Sequence, residues 1–512
     1  MNINRLGTIT IASAFCLMTG EALAQHDPGV RGGLPKPGVA VPHPQPIANL
    51  QVNEMKLFIE ALGRAAQLEA TCDSCATSAQ GQSFPVTGQG ELDPIFPQFH
   101  SNSAGLGARF NADQCLLCHL QPSLGGSGGF ITPNPGQANP MTPENPLFRL
   151  VPQRNARQNV TPSFELQFGP IREARFKFKP DGTRDGSVHN LYVIRGDNTD
   201  PTIPNCAIVQ PDFAAEAANN NLSFRIPLQM FGLGLIKSIQ DREILARHDA
   251  TADLRAKLGI GGHPNRSPND GTISRFGWKA QNKSTQIFVS EAYNVEMGVD
   301  NDMFPQAIEE DPACNGTDKP HPNDTVRIDT TDQFSFGFDN PLHQDADWVM
   351  FDFFTSFLDF PHPVPNPSPS AQRGRQVFEN IGCSACHTPA MQTFANTGEP
   401  ALANQTANLF SDLLLHHMGG RLADNIIQGD AGPDEFRTTP LWGVGQRIFF
   451  IHDGRTSDIV AAIREHFSEA MPANAADRSP AYPASEANAV IERFERLSTS
   501  EKQAIIDFLR SL

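Results

Sequence analysis

Positive charge is scarce in this sequence. Lys and Arg number 39 against 56 Asp and Glu, so the formal net charge is −17. A chain of that sign has no electrostatic means of tracking a phosphate backbone or an anionic membrane surface. Nucleic-acid binding is therefore set aside, and a soluble partner with a basic docking face is the natural expectation. Long apolar runs are missing too: the stretch Ile9 to Met18 is too short for a comfortable bilayer span, and no later segment could cross one. Cysteine is sparse at nine residues, and the hydrophobic fraction of 39% is ordinary to low.

Pro and Gly, by contrast, number 42 and 41 in 512 residues. That length allows two or three domains with cores of their own, joined by long irregular connections. Arg5, the apolar run and Ala22-Leu23-Ala24 have the form of a signal peptide over 1–24, cleaved near Ala24. The expectation is an exported, periplasmic protein in an oxidising compartment, with Cys16 removed. A Pro-, Gly- and His-rich linker follows over 25–52.

The period of the apolar residues then predicts a helix from Asn53 to Glu69. Phe164–Phe168 and Arg175–Phe178 alternate as strands, with Asp181-Gly182 as a turn. A helix opens after Gln240 on an acidic first turn, and 261–272 reads as a loop. The Pro-rich stretch Phe360–Ser370 marks a domain boundary. Beyond it, Ser370 precedes a helix through Val377 and Phe378. The last helix starts at Ser498 with Glu501 three residues on, a capping box, and its apolar face is Ile505, Phe508, Leu509 and Leu512.

Four cysteines fall in two C-x-x-C-H motifs, Cys115/Cys118/His119 and Cys383/Cys386/His387. Two cysteines three apart reach the two vinyl groups of one porphyrin, and the adjacent His falls beneath the iron as proximal ligand. Zinc would need a second ligand pair, which neither motif has. Two covalently bound haem c groups are therefore expected. Of the remaining cysteines, Cys206 and Cys314 are each isolated among loop residues and are expected to pair. Cys72 and Cys75 have Ala76 where a haem motif has His; a local disulfide is expected, with a redox dithiol as the alternative. The fold expected is mainly α, with two cytochrome c-like haem domains over 53–365 and 366–512, the first elaborated with β-hairpins and long loops.

Several segments carry a more specific resemblance. Ser411–His416, Thr439–Gly443, His452-Asp453-Gly454-Arg455, Phe231–Ile236 and Arg275–Gln281 resemble the bacterial di-haem oxidoreductase family, members of which are also called peroxidases or thiol oxidoreductases. The resemblance runs from about Leu106 to Leu512; dihaem cytochrome c peroxidases and dihaem rubber oxygenases are more distant relatives. It implies that His466, fourteen residues beyond His452, is the second axial ligand of the haem held by His387, with His416 as its rival. His417 departs from an acidic residue associated with that position. His452 and Arg455 would contact propionates or order the loop. No distal ligand stands out for the haem held by His119, although His100 and His189 are candidates.

By analogy with the peroxidases, Trp278 is the electron relay between the haems and Glu296, eighteen residues on, is the acid–base group that moves a peroxide proton. Lys237 stands where the family often carries an acid. A calcium ion between the haems is the one further cofactor the resemblance implies, and no ligand set in the sequence identifies it. The activity implied is reduction of a peroxide at the N-terminal haem, with electrons from a small redox protein or other donor entering at the C-terminal one. The alternatives are an oxygenase acting on an apolar substrate, a dihaem electron carrier, and a radical-generating enzyme that modifies a protein.

Overall fold

The computed structural model describes residues 25–33, 44–65, 69–70, 103–104, 107, 109–112, 115–129, 160, 162–166, 169–193, 208–305, 346–476 and 478–512. The expectations for Cys72, Cys75, Cys206, Cys314 and His100 lie outside these residues, as does the proposed signal peptide. Helices carry most of the regular structure that is described, and the sheets have two or three strands each. No described helix is long and apolar enough to cross a membrane.

Around the first C-x-x-C-H motif, three helices pack through aromatic side chains. Helix Val52–Ala65 lies on helix Asp347–Phe357, with Phe58 stacked on Phe354 at 5.8 Å. Helix Thr285–Met297 meets the same helix through Tyr293, edge-on to Phe351 at 5.0 Å. Beside them lies an antiparallel sheet in the order Val188–His189, Glu173–Phe176, Leu222–Arg225.

The strand expected at 175–178 is shifted to 173–176. The Asn221 side chain accepts the Phe178 N–H at 2.9 Å and donates to the Phe178 carbonyl at 2.8 Å, replacing the backbone ladder beyond Phe176. Asp181 and Gly182 do form the turn, with Gly182 at φ +84°. The described part of the strand expected at 164–168 is instead a turn: Glu165 N–H bonds to the Pro162 carbonyl at 3.0 Å, and Phe164 packs on Phe213 and Phe224.

Around the second motif, helix Pro369–Ile381 crosses the final helix, Thr499–Ser511. The crossing is close enough that a Cβ on Gly374 would lie 1.8 Å from the Ala504 carbonyl oxygen, so only glycine fits there. Phe378 meets Phe508 at 5.4 Å across it. The capping box of Ser498 and Glu501 is formed, and Ile505, Phe508, Leu509 and Leu512 are buried. The first helix is capped by Ser368, not Ser370. Pro369 occupies its first turn, where the missing N–H is no loss.

The largest apolar core draws on both sides of the Pro-rich stretch, from Phe58 and Phe354 to Leu409, Leu414 and Trp442. A buried ion cluster also joins the two sides. Asp424 takes Arg225 Nη2 at 2.6 Å and Lys279 Nζ at 3.0 Å, all three out of solvent. Burial alone would raise the Asp424 pKa, but Lys279 and Arg225 outweigh it and hold the carboxyl at about 2. Its stabilising contribution is therefore complete above the unfolded carboxyl range and fades as pH falls towards about 2. Asp424→Ala, which strands two buried cations, is expected to cost about 3–5 kcal/mol in denaturant unfolding of the holoprotein. A loss below about 1 kcal/mol, the range of an exposed pair, would contradict the cluster's role.

Candidate functional site

Helix Pro369–Ile381 stops at Gly382, which takes φ +105°, and the chain turns through Cys383–Ala385 so that His387 N–H bonds back to the Cys383 carbonyl at 2.9 Å. His387 Nδ1 faces the Phe410 carbonyl at 3.1 Å. His466, at the end of helix Ile459–Glu465, has Nδ1 at 2.8 Å from the Ala462 carbonyl. A carbonyl on Nδ1 fixes the tautomer and leaves Nε2 as the coordinating nitrogen, the usual support of a metal-binding imidazole. The two rings lie 6.5 Å apart between centroids at 60°. Two metal–imidazole bonds of roughly 2 Å, plus the half-width of each ring, fill about that distance.

Burial, then the neighbouring His466, pushes His387 down to about 4, and burial lowers His466. Both are thus neutral near pH 7, as coordination requires. Burial also pushes the Cys383 thiol up to about 12 and raises Cys386. The structure brings together the ring pair that the resemblance implies. His416 lies against Cys386 and Asp412, within range for a metal. Its two nitrogens are already occupied, Nε2 by Asp412 at 2.9 Å and Nδ1 by Glu486 at 2.7 Å.

The first motif is built differently. Cys115–Cys118 form one helical turn, and His119 N–H returns to the Cys115 carbonyl at 3.3 Å. The loop behind it is closed by the Gln121–Ser127 bridge, which presents the Gly126 carbonyl to His119 Nδ1 at 3.0 Å. Burial lowers the His119 pKa against the carbonyls of Gly126 and Leu228. This histidine borders a cavity of about 1060 Å³, also lined by Cys115, Cys118, Trp278 and Glu296. That is at the upper end of small-molecule sites, roughly 300–1,000 Å³, and large enough for a tetrapyrrole.

Glu296 caps no helix; Gly298 does that. Its carboxylate accepts from Asn111 Nδ2 at 2.7 Å. Trp278 donates Nε1–H to the Ile226 carbonyl at 2.9 Å and meets His452 edge-on at 6.3 Å; His452 in turn stacks on Phe436 at 4.4 Å. His189 lines the same cavity, where it is held by Asp185 at 2.9 Å and stacks on Phe176. Lys237 bonds Ser356 at 2.8 Å and pairs with Glu399.

Sequence reasoning missed Glu173 and Arg175, which line the same cavity. Their spacing of two within a strand was the available signal, since such residues share a face. It also missed Arg447. Of the two residues expected to meet propionates, Arg455 is committed to Asp453, Glu465 and the Arg421 carbonyl, so it orders the loop. Burial holds His452 at about 4 and uncharged.

Arg447, in contrast, is buried with no carboxylate partner among the described residues. Nη2 donates to Ser127 Oγ at 3.2 Å, Nε has no partner, and the guanidinium lies 5.9 Å from the Trp278 ring. Burial lowers its pKa only to about 10, so it stays charged. A buried cation of this kind needs an anion, which a porphyrin carboxylate would supply. Arg447→Leu should lower the reduction potential of the nearer haem, because a charge favouring the reduced iron is lost. Spectroelectrochemistry checks this, and an unchanged potential would remove Arg447 from the site.

A family model described as "Di-haem oxidoreductase, putative peroxidase" matches residues 215–512. The match includes Trp278, Glu296 and the second motif, while Cys115–His119 lie before it. No curated protein matches the chain. Among solved structures, a hydrazine synthase of Kuenenia stuttgartiensis pressurised with xenon is similar over 34% of this chain and 56% of its own, at 17% identity and a TM-score of 0.20. That likeness is too slight to carry any conclusion about fold. The family match extends over more than half of the sequence, and the chain belongs to the di-haem oxidoreductase family.

Proposed function

We propose that this di-haem oxidoreductase reduces a peroxide beside His119, with electrons entering from a small redox protein at the site of His387 and His466. The observation that carries this reading is the asymmetry of the two motifs. One histidine faces a second imidazole at 6.5 Å, whereas the other borders a cavity of about 1060 Å³ containing a carboxylic acid. Covalent haem c at each motif would supply the redox chemistry. A second imidazole closes one centre and suits it to electron transfer, while an accessible centre suits catalysis. We place the two haem-bearing units at 53–365 and 366–512, and export to the periplasm rests on the N-terminal signal alone.

The chain's own residues then divide the work. Asn111 holds Glu296 in the cavity, where it keeps a proton for the peroxide. Trp278 borders that cavity and touches His452, which suits it to relay electrons between the two sites. The cluster of Glu173, Arg175 and Glu296 weighs against an oxygenase for an apolar substrate, which would want an apolar pocket.

Two experiments test this. In the holoprotein, His466→Ala should abolish one low-spin signal in the ferric EPR spectrum and leave the other centre unchanged; an intact signal would mean that His466 is no ligand. Stopped-flow measurements should show peroxide oxidising the reduced protein, with Glu296→Gln slowing that step by about 10²-fold or more. A ferrous protein inert to peroxide that holds oxygen stably would favour the oxygenase; one inert to both would be a carrier.

A further inference from the structure

The cavity beside His119 holds a second carboxyl that a single proton donor does not require. Glu173 opens the strand Glu173–Phe176, Glu296 lies in the last turn of helix Thr285–Met297, and both carboxyls line the cavity, where each acts on the other's ionisation. Two carboxyls buried in one site repel when both are ionised, so one of them tends to keep a proton.

The surroundings decide which one does. Glu173 Oε1 takes Arg175 Nε at 2.6 Å, and Arg175 is itself anchored by Nη1 on the Gly186 carbonyl at 2.8 Å. Glu296 Oε2 has a neutral donor, Asn111 Nδ2 at 2.7 Å. The Asn111 amide cannot flip without loss, since its Oδ1 already accepts from Leu191 N–H at 2.7 Å. A cation on one carboxyl and an amide on the other localise the charge on Glu173 and the proton on Glu296.

We propose that Glu173 is a positioning residue whose fixed negative charge keeps the proton on Glu296, the two acting as one carboxylic acid–carboxylate pair inside the His119 cavity. The proposal rests on the reading of Glu296 as the peroxide's proton donor and gives that residue its partner. The ionisation pattern agrees. Burial and then Glu173 raise Glu296 well above the usual carboxyl range, while Arg175 and Arg225 outweigh burial and keep Glu173 below it. The other charged groups facing the pair are Arg225 on the adjoining strand, Glu291 on the helix of Glu296, which acts on Arg175, and Arg109, which lines the same cavity.

Reduction of a peroxide breaks its O–O bond, consumes two electrons and two protons, and yields water plus a second water or an alcohol. The two electrons come from the small redox protein that donates at the site of His387 and His466, delivered in successive encounters if each molecule carries one. One proton passes from Glu296 to a peroxide oxygen; the other comes from solvent. The pair is then briefly doubly negative beside Arg175 and Arg225, and the repulsion between its members drives recapture of a proton by Glu296.

Infrared spectroscopy of the holoprotein tests this without turnover. The wild-type-minus-Glu296→Gln difference spectrum should contain a protonated-carboxyl band at neutral pH. Glu165, another buried acid with its pKa raised to about 8, cancels because both proteins carry it. In Glu173→Gln, with haem content and circular dichroism unchanged, that band should disappear at a lower pH, shifted by at least tenfold in proton concentration. The pH profile of peroxide reduction should shift the same way. An unmoved band overturns the role of Glu173. Should Glu173→Gln lose its fold, Glu173→Asp, which keeps the charge, must retain the wild-type band position or the proposal fails. Absence of the band in wild type removes Glu296 as a neutral acid and with it the pair. A band that behaves as expected in a protein without peroxide turnover supports the pair and refutes the peroxidase reading instead.

Discussion

A ligating imidazole must be neutral and correctly aimed, and burial against a backbone carbonyl does both. Around His387 and His466 the whole C-terminal architecture serves that requirement. The tight crossing at Gly374, the turn at Gly382 and the carbonyls of Phe410 and Ala462 hold two rings, inclined at 60°, at the separation that one metal between them would need. His119 has the same kind of carbonyl support from Gly126 but borders a cavity. Equal support with unequal surroundings is how one chain could make two centres of different reactivity.

The two surroundings are joined by charge as well as by apolar packing. Asp424, Arg225 and Lys279 tie the sheet beside the His119 cavity to the C-terminal segment, and Lys279 also lies 4.3 Å from the ring of Phe436. Phe436 stacks on His452, and His452 meets Trp278. The ion cluster thus adjoins this aromatic series through Lys279, and any shift of one side against the other would break buried ion pairs.

Local signals made much of this legible in the sequence. The capping box at Ser498, the Asp181-Gly182 turn and the helix after Gln240 depend on a few adjacent residues and were readable directly. Resemblance supplied His466, Trp278 and Glu296, none of which periodicity could have singled out. What escaped was long-range. Arg447 is ordinary in the sequence and unusual only because, among the described residues, no carboxylate reaches it once folded. Glu173 matters because a strand and a helix far apart in sequence bring it to Glu296. The strand shift near Phe178 came from Asn221, whose amide imitates a backbone partner. Likewise the partners of His416, Asp412 and Glu486 on its two nitrogens, come from distant or non-adjacent positions that no local pattern reveals.

Inequality of the two centres is the claim on which the functional account stands, and titrating the ferric holoprotein with cyanide under EPR tests it most directly. One centre should bind cyanide and change its signal while the low-spin signal assigned to His387 and His466 persists throughout. If both centres bind cyanide, or if neither does, the division into an electron-transferring and a catalytic site is contradicted.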